Sequence, residues 1–324
     1  MWSWQDHRAE SGNVSQKKAI VIANPAAGRN DVRGTALKAR NHLEAHNWSA
    51  DLVFTAPQVS VADKPGSWLS KRYAGTVDRV VVIGGDGTLR EVVSGLGDEV
   101  RQTTVAFIPL GNANVTARQF NFPRDIEANI ATITNNTFAA MDVGRVNGDV
   151  FLAMVGVGYD ALVTAMVGAA RSTRPGRWFY SLRAGGDVLY VLSGLMTGLR
   201  LLPRKFDFHI DGTSASRAYP TIWISNTRTY AKSWSVTPAA SINDGRLDFH
   251  ACKYAGLIRP LIVMRRAVHG KPAPASISEY GTVTTCRIQS DKPFRWQMDG
   301  DPMPATDKLD IEVIPHHFRI VVPE

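Results

Sequence analysis

The stretch from Val77 to Leu96 most constrains what this chain can fold into. An apolar run through Ile83 passes directly into Gly84-Gly85-Asp86-Gly87-Thr88, and a helical pattern continues from Leu89 to Leu96. Glycines that follow a buried strand let the backbone approach a polyphosphate closely, and the helix behind them offers free N–H groups and the positive end of its dipole. Strand, glycine turn and helix in this order form the context of a nucleotide site. Asp86 repels a phosphate, so it needs another task. Cation binding, ordering of water, accepting the proton of an attacking hydroxyl and capping the helix are all open to it.

The first half of the chain repeats the theme. Ala19 to Ala23 reads as a strand buried on both faces that ends at Asn24-Pro25, with a turn through Gly28 and a helix over about Arg33 to His46. Leu52 to Phe54 reads as a second strand reaching Thr55, Val77 to Ile83 as a third, and Thr104 to Leu110 as a fourth, which turns through Gly111, Asn112 and Asn114 into another helix. Alternating strand and helix predicts a parallel sheet with helices on both faces. Ligands of such sheets lie beyond the carboxyl ends of the strands, so four loops are expected to share one crevice.

After Met141-Asp142-Val143-Gly144 the pattern turns to short alternating strands: Arg204 to Ile210, Thr221 to Ser225, Arg246 to Ala251, Thr282 to Gln289, Phe294 to Met298 and Leu309 to Ile314. One helical stretch, Trp178 to Leu202, interrupts them. The expected organisation is a loose leader over 1–16, an α/β nucleotide domain over 17–142 and a mostly antiparallel β domain over 143–324.

A chain of 324 residues, 44% hydrophobic and 20% charged, can bury a sizeable core and does not read as disordered. The net charge of +8 favours an anionic partner: a nucleotide, a nucleic acid or an acidic membrane surface. The charges do not interleave with an RNA-binding aromatic motif, which argues against nucleic acid. Cys252 and Cys286 lack metal-ligand spacing, so reduced thiols in a cytoplasmic protein are expected. No leader-like apolar run opens the chain. The most apolar stretch, Val188 to Leu202, falls short of the roughly 20 residues a spanning helix needs, so any membrane contact is peripheral. Arg171, Arg174, Arg177, Trp178, Phe179, Tyr180 and Arg183 precede that stretch, a pattern suited to an anionic interface and equally to a core helix with solvated basic flanks.

From Lys17 onward the sequence resembles the diacylglycerol kinase catalytic family, in particular the soluble bacterial lipid kinases, with sphingosine and ceramide kinases as relatives. The resemblance rests on Gly84 to Gly95, on Asn24 to Gly28, on Pro109 to Arg118, on the Gly156, Gly158, Asp160 segment, on Pro238 to Gly245, and on Asp299-Gly300-Asp301. It implies a Rossmann-like α/β domain of the NAD kinase and diacylglycerol kinase type, followed by a β-sandwich, with the active site in the cleft between them.

By the same resemblance, ATP meets Asn24, Gly28, Thr55, Gly84, Gly85, Asp86, Gly87, Thr88, Glu91, Asn112 and Asn114. Mg²⁺ sits in a loop containing Ser241, Asp244 and Arg246. Asp301, with Asp86 as a second catalytic candidate, accepts the proton of a membrane-lipid hydroxyl. The chain departs from the family at Asn112, usually Thr, at Val115, often Asp, at Ala153, usually Asn, and at Asp301, usually Glu. The last change shortens the carboxylate by on the order of 1 Å.

The expected activity is phosphorylation of a diacylglycerol-like lipid at an anionic membrane surface, with a homodimer as the expected assembly. A sphingoid-base or ceramide kinase, a nucleotide-gated lipid-binding or transfer protein and an NAD kinase are the alternatives. The absence of an Asn-Glu pair after the loop disfavours the last.

Overall fold

The computed structural model describes residues 16–28, 31–56, 65–172, 205–212, 217–229, 234–253 and 258–324. The expected leader, apart from Gln16, and the helical stretch Trp178 to Leu202 lie outside these residues.

Four strands rich in β-branched residues, β1 (Lys17–Ala23), β2 (Trp48–Phe54), β3 (Arg79–Gly84) and β4 (Thr104–Pro109), pair in parallel in the order β2-β1-β3-β4, with Val21 opposite both Leu52 and Val81. β3 is buried along its whole length, as a strand covered on both faces must be. Helices α1 (Val32–Ala45) and α5 (Ile126–Thr132) cover one face through Val32, Ala36, Ala39, Leu43 and Ile130. Helix α3 (Asp86–Leu96) covers the other through Leu89, Val92, Val93 and Leu96. Each such side chain contributes about 1.5–3 kcal/mol on burial, so α3 is anchored along its inner face and its N-terminus is held at the carboxyl edge of the sheet. α2 (Pro65–Tyr73) packs beside it so closely that a Cβ on Gly95 would lie 2.1 Å from the Ser67 carbonyl oxygen.

The second half is built around two long strands, β13 (Thr285–Met298) and β14 (Asp301–Val321), joined by a hairpin. β5 (Phe138–Val146), carrying β6 (Asp149–Phe151) on its far edge, pairs with β14. β8 (Phe206–Ile210) pairs with β13 and with β9 (Arg217–Tyr219). On the other side of β13, β7 (Met154–Val157), β10 (Thr221–Ser225), β11 (Leu247–Cys252) and β12 (Ser278–Val283) follow in antiparallel order. Phe208, Phe249, Ile288, Trp296 and Ile311 fill the core between them. The end of β14 returns to the first half, where Arg319 and Ile320 pair in parallel with Thr104 and Val105. Phe318 and Ile320 enter the core beneath α3. One continuous sheet therefore joins both halves.

The predicted α/β half followed by a β-sandwich is what the chain forms, with differences of detail. Thr282 to Gln289 is not one strand. The chain turns at Thr284, where the Asp211 carboxylate accepts the N–H groups of Thr284 and Thr285 and the Thr284 hydroxyl. Phe294 to Met298 and Leu309 to Ile314 are instead parts of the two long strands, whose register shifts at bulges near Phe294 and between Ile314 and Phe318. Helix α2 was not expected, nor were α6 (Tyr159–Ser172) and α7 (Ile258–Val268) in the β half. α7 packs Val263 and Ala267 against Met154, Trp223 and Cys252. Cys252 and Cys286 are free and buried, and burial pushes the Cys252 thiol up to about 12. Among the described residues no helix is long and apolar enough to cross a membrane.

Candidate active site

The loops at the carboxyl ends of the parallel strands meet, and small residues set how closely. The Asn24 amide side chain donates to Thr88 Oγ1 at 3.0 Å and accepts from the Ala26 N–H, tying the first loop to the start of α3. The Thr55 N–H donates to the Ala23 carbonyl at 2.9 Å. The Leu110 N–H donates to the Gly84 carbonyl at 2.8 Å, and a Cβ on Gly111 would lie 2.6 Å from the Cα of Gly85, so these two backbones touch. Gly28, at φ +65°, rests against the Leu110 carbonyl, which a Cβ there would overlap at 2.0 Å. All four loops therefore share one crevice, as the strand order requires.

Several features of this crevice fit a nucleotide phosphate. Helix α3 begins at Gly85 with no side chain capping its first amides. A Cβ on the exposed Gly87 would meet nothing within 4 Å, which leaves open space above those amides. Thr55 Oγ1 and Asn114 Oδ1 are buried without a hydrogen-bond partner among the described residues. Buried orphan acceptors and hydroxyls are costly unless a ligand or water meets them. Asn114 stands at φ +47° with its amide on the Gly111 carbonyl at 2.9 Å, and Asn112 is exposed on the same loop. The Glu91 carboxylate accepts the Gly66 N–H at 3.0 Å, at the start of α2.

Asp86 does not face the open amides. Its two carboxylate oxygens accept the N–H groups of Val115 and Thr116, at 2.9 and 3.0 Å, which begin the short helix α4 (Val115–Gln119). Burial raises its pKa and the nearby charge of Asp299 adds to the rise, while the two amide bonds oppose it. The acid of the glycine loop thus caps a neighbouring helix rather than its own.

The second half meets this crevice at the β13–β14 hairpin. Asp299 (φ +50°) and Gly300 (φ +87°) form a two-residue turn between the paired Met298 and Asp301, the conformation that Asp-Gly favours. The Asp299 carboxylate accepts the N–H groups of Leu152, Ala153 and Met154 at 2.8–2.9 Å. Gln297 supports the turn by accepting the Gly300 N–H and donating to Asp160 at 2.7 Å. A side chain at Gly156 would overlap that Asp160 carboxylate, which gives the glycine-rich 156–160 segment a packing reason. Asp301 itself remains exposed.

Arg90 joins the two halves. From α3 its guanidinium reaches the Met298 carbonyl at 3.2 Å and Asp301 Oδ2 at 2.8 Å, and it lies 3.6 Å from Asp299 Oδ2. Burial opposes its charge, but the two carboxylates outweigh this and push its pKa up.

The loop carrying Ser241, Asp244 and Arg246 is fastened by Asp142. This fully buried carboxylate accepts the N–H groups of Gly245 and His316, both at 2.6 Å. Ser241 Oγ donates to Asn243 at 3.0 Å and Asp244 Oδ1 accepts the Arg246 N–H at 3.0 Å. Asp244 is exposed. Its charge, added to burial, lifts the Asp248 carboxyl to about 6. Asp244 offers one exposed carboxylate on this loop, and among the described residues no cluster of three His, Cys, Asp or Glu side chains is present.

Sequence reasoning missed Arg90, Asp299 and Asp142. Asp299 carried a signal, the Asp-Gly hairpin dipeptide. Asp142 was visible as an acid inside an apolar strand, which is expensive unless the carboxylate is satisfied. Arg90 lies within the Gly84 to Gly95 segment, but its partners are more than 200 positions away in the chain, so the segment alone does not show what it holds.

An α/β lobe with an uncapped helix start behind glycines, closing on a β-sandwich that presents a carboxylate, defines a nucleotide-dependent phosphotransferase. The diacylglycerol kinase catalytic domain matches residues 18–146, and the YegS C-terminal, NAD kinase β-sandwich-like domain matches residues 153–322. The chain is 24% identical over 287 residues to a Bacillus subtilis diacylglycerol kinase, covering 88% of this chain and 90% of that protein. It is 26% identical over 248 residues to a Pseudomonas aeruginosa protein named "Probable lipid kinase YegS-like", covering 75% and 76%. A solved Bacillus anthracis structure described as a diacylglycerol kinase has the same fold, with a TM-score of 0.69 at 19% identity over 95% of this chain and 97% of that one. The chain belongs to the diacylglycerol kinase and YegS-like lipid kinase family. It is a lipid kinase, and the family uses ATP as phosphoryl donor.

Proposed function

We propose that this kinase transfers the γ-phosphoryl group of ATP to the hydroxyl of a diacylglycerol-like lipid presented at an anionic membrane surface. The observation that carries this reading is the meeting of the open start of α3 with the exposed Asp301 carboxylate across one cleft, bridged by Arg90. Residues 17–142 supply the nucleotide side and 143–324 the acceptor side. The amides of Gly85, Gly87 and Thr88, the orphan groups of Thr55 and Asn114, and the loop residues Asn24, Gly28, Gly84 and Asn112 bind and orient the triphosphate. Asp86 keeps the third and fourth of these loops in register through α4, and Glu91 seats α2 beside α3.

In the chemical step the lipid oxygen forms a bond to the γ-phosphorus as the bond from that phosphorus to the bridging oxygen of ADP breaks. The hydroxyl proton passes to Asp301. Phosphoryl transfer depends mainly on positioning and charge, so a carboxylate that orients the hydroxyl is sufficient. Asp244, with the Ser241 and Arg246 backbone, would hold Mg²⁺, which neutralises charge on the phosphates when bound.

Labelled ATP with Mg²⁺ and a panel of diacylglycerol, monoacylglycerol, ceramide, sphingosine and phosphatidylglycerol in mixed micelles tests the acceptor. Diacylglycerol should be labelled most efficiently. Labelling of a sphingoid base in preference would move the chain to that substrate class, and nucleotide binding without any labelled lipid would favour a binding protein. Flotation with acidic liposomes, and not with neutral ones, is the expected sign of the membrane surface.

A further inference from the structure

The exposed acid of the hairpin is held on one side. Asp301 is held by one oxygen, Oδ2, on a guanidinium of α3 that is only 13% exposed, while no bond engages Oδ1 among the described residues. The same guanidinium bonds the carbonyl of Met298 and pairs with Asp299, so it grips both ends of the hairpin turn. Arg90 stands on α3 only one turn beyond Asp86, and α3 begins at the phosphate loop. A short rigid path of one helix turn and one side chain therefore sets the distance between the phosphate loop and the carboxylate.

We propose that Arg90 is a positioning residue: it holds Asp301 by Oδ2 so that Oδ1 is presented to the lipid hydroxyl at a fixed distance from the phosphoryl group. This rests on the assignment of Asp301 as proton acceptor. Two consequences follow from the chemistry of the contact. The planar fork of arginine bonds Met298 and Asp301 with different nitrogens, and lysine can hold the charge but not this two-point geometry. A misplaced acceptor group impairs turnover far more than it impairs nucleotide binding, because only the reacting geometry is lost.

The test compares Arg90→Gln and Arg90→Lys with the unaltered chain, using steady-state phosphorylation of dioctanoylglycerol and amide hydrogen exchange over residues 298–303. Arg90→Gln should lower kcat by about 10- to 100-fold while KM for ATP stays within about threefold, and Arg90→Lys should recover part of the loss. Exchange across the hairpin should quicken in Arg90→Gln and lie nearer the original in Arg90→Lys. An unchanged kcat in Arg90→Gln, a loss confined to KM for ATP, or an unchanged exchange rate would overturn the proposal. If the unaltered chain labels no lipid, the functional reading fails on its own, and hairpin exchange still decides whether Arg90 positions Asp301.

Discussion

The glycine loop and the carboxylate hairpin solve the same problem from opposite sides of the cleft. Each carries a conspicuous aspartate beside a glycine, and in each the aspartate is bound by backbone amides: two from α4 for Asp86, three from 152–154 for Asp299. They differ in what is left exposed. The glycine loop leaves amides open, the equipment for holding an anion. The hairpin leaves a second carboxylate, Asp301, exposed, the group proposed as proton acceptor. A motif acid can thus be prominent because it fastens a loop.

The largest expected effect separates the two aspartates of the hairpin. Asp301→Asn should lower kcat by about 10²- to 10⁴-fold with thermal unfolding unchanged, the usual range for loss of a general base. Full activity in that variant would remove Asp301 from the chemistry. Asp299→Ala should act in the opposite sense, costing about 3–4 kcal/mol of stability because three amides and Arg90 lose a buried partner. Asp86→Ala should cost less, about 1–3 kcal/mol, since only two amides are released. Equal losses in urea denaturation would break the parallel.

Acid should distinguish the two halves. His250 of β11 is stacked between Trp223 and Tyr280 and bonded to Ser278, and burial lowers its pKa to about 3. A depressed histidine contributes stability that is complete above its unfolded pKa of about 6.5 and declines as pH falls toward the folded value. Between pH 7 and pH 4 this amounts to about 3 kcal/mol, so exchange in β10 and β11 should rise before exchange in β1 and β3. His250→Gln should reduce the pH dependence in β10 and β11, leaving the share of His317 on β14, which burial lowers to about 4, and an unaltered slope would exclude His250 as a source. The smallest effect belongs to the crevice. Thr55→Val removes a hydroxyl that bonds nothing among the described residues, so melting should be unaffected while ATP affinity falls by about 1 kcal/mol. Unchanged affinity would place the nucleotide away from β2.

Legibility followed locality. β1, β3 and β4 were readable because strands buried on both faces appear as unbroken apolar runs. The long β13 and β14 were read as fragments because Pro293, Pro302, Pro304 and Pro315 interrupt them, although bulges and an unpaired edge accommodate residues that cannot donate to a ladder. Helix α6 was hidden behind Gly158, whose φ of +79° makes the turn into it and whose neighbours read as a glycine-rich loop.

By itself, the sequence determined the alternating strand and helix of the first half and the glycine loop, because each depends on residues adjacent in the chain, and the strand pattern then implied one crevice for the four loops. Only the tertiary structure decided what the acids do. The bonds from Asp86 to α4, from Asp142 to 245 and 316, and from Arg90 to Asp301 are contacts between distant segments. Whether a buried charge reacts or merely holds depends on which partners folding brings within hydrogen-bond reach.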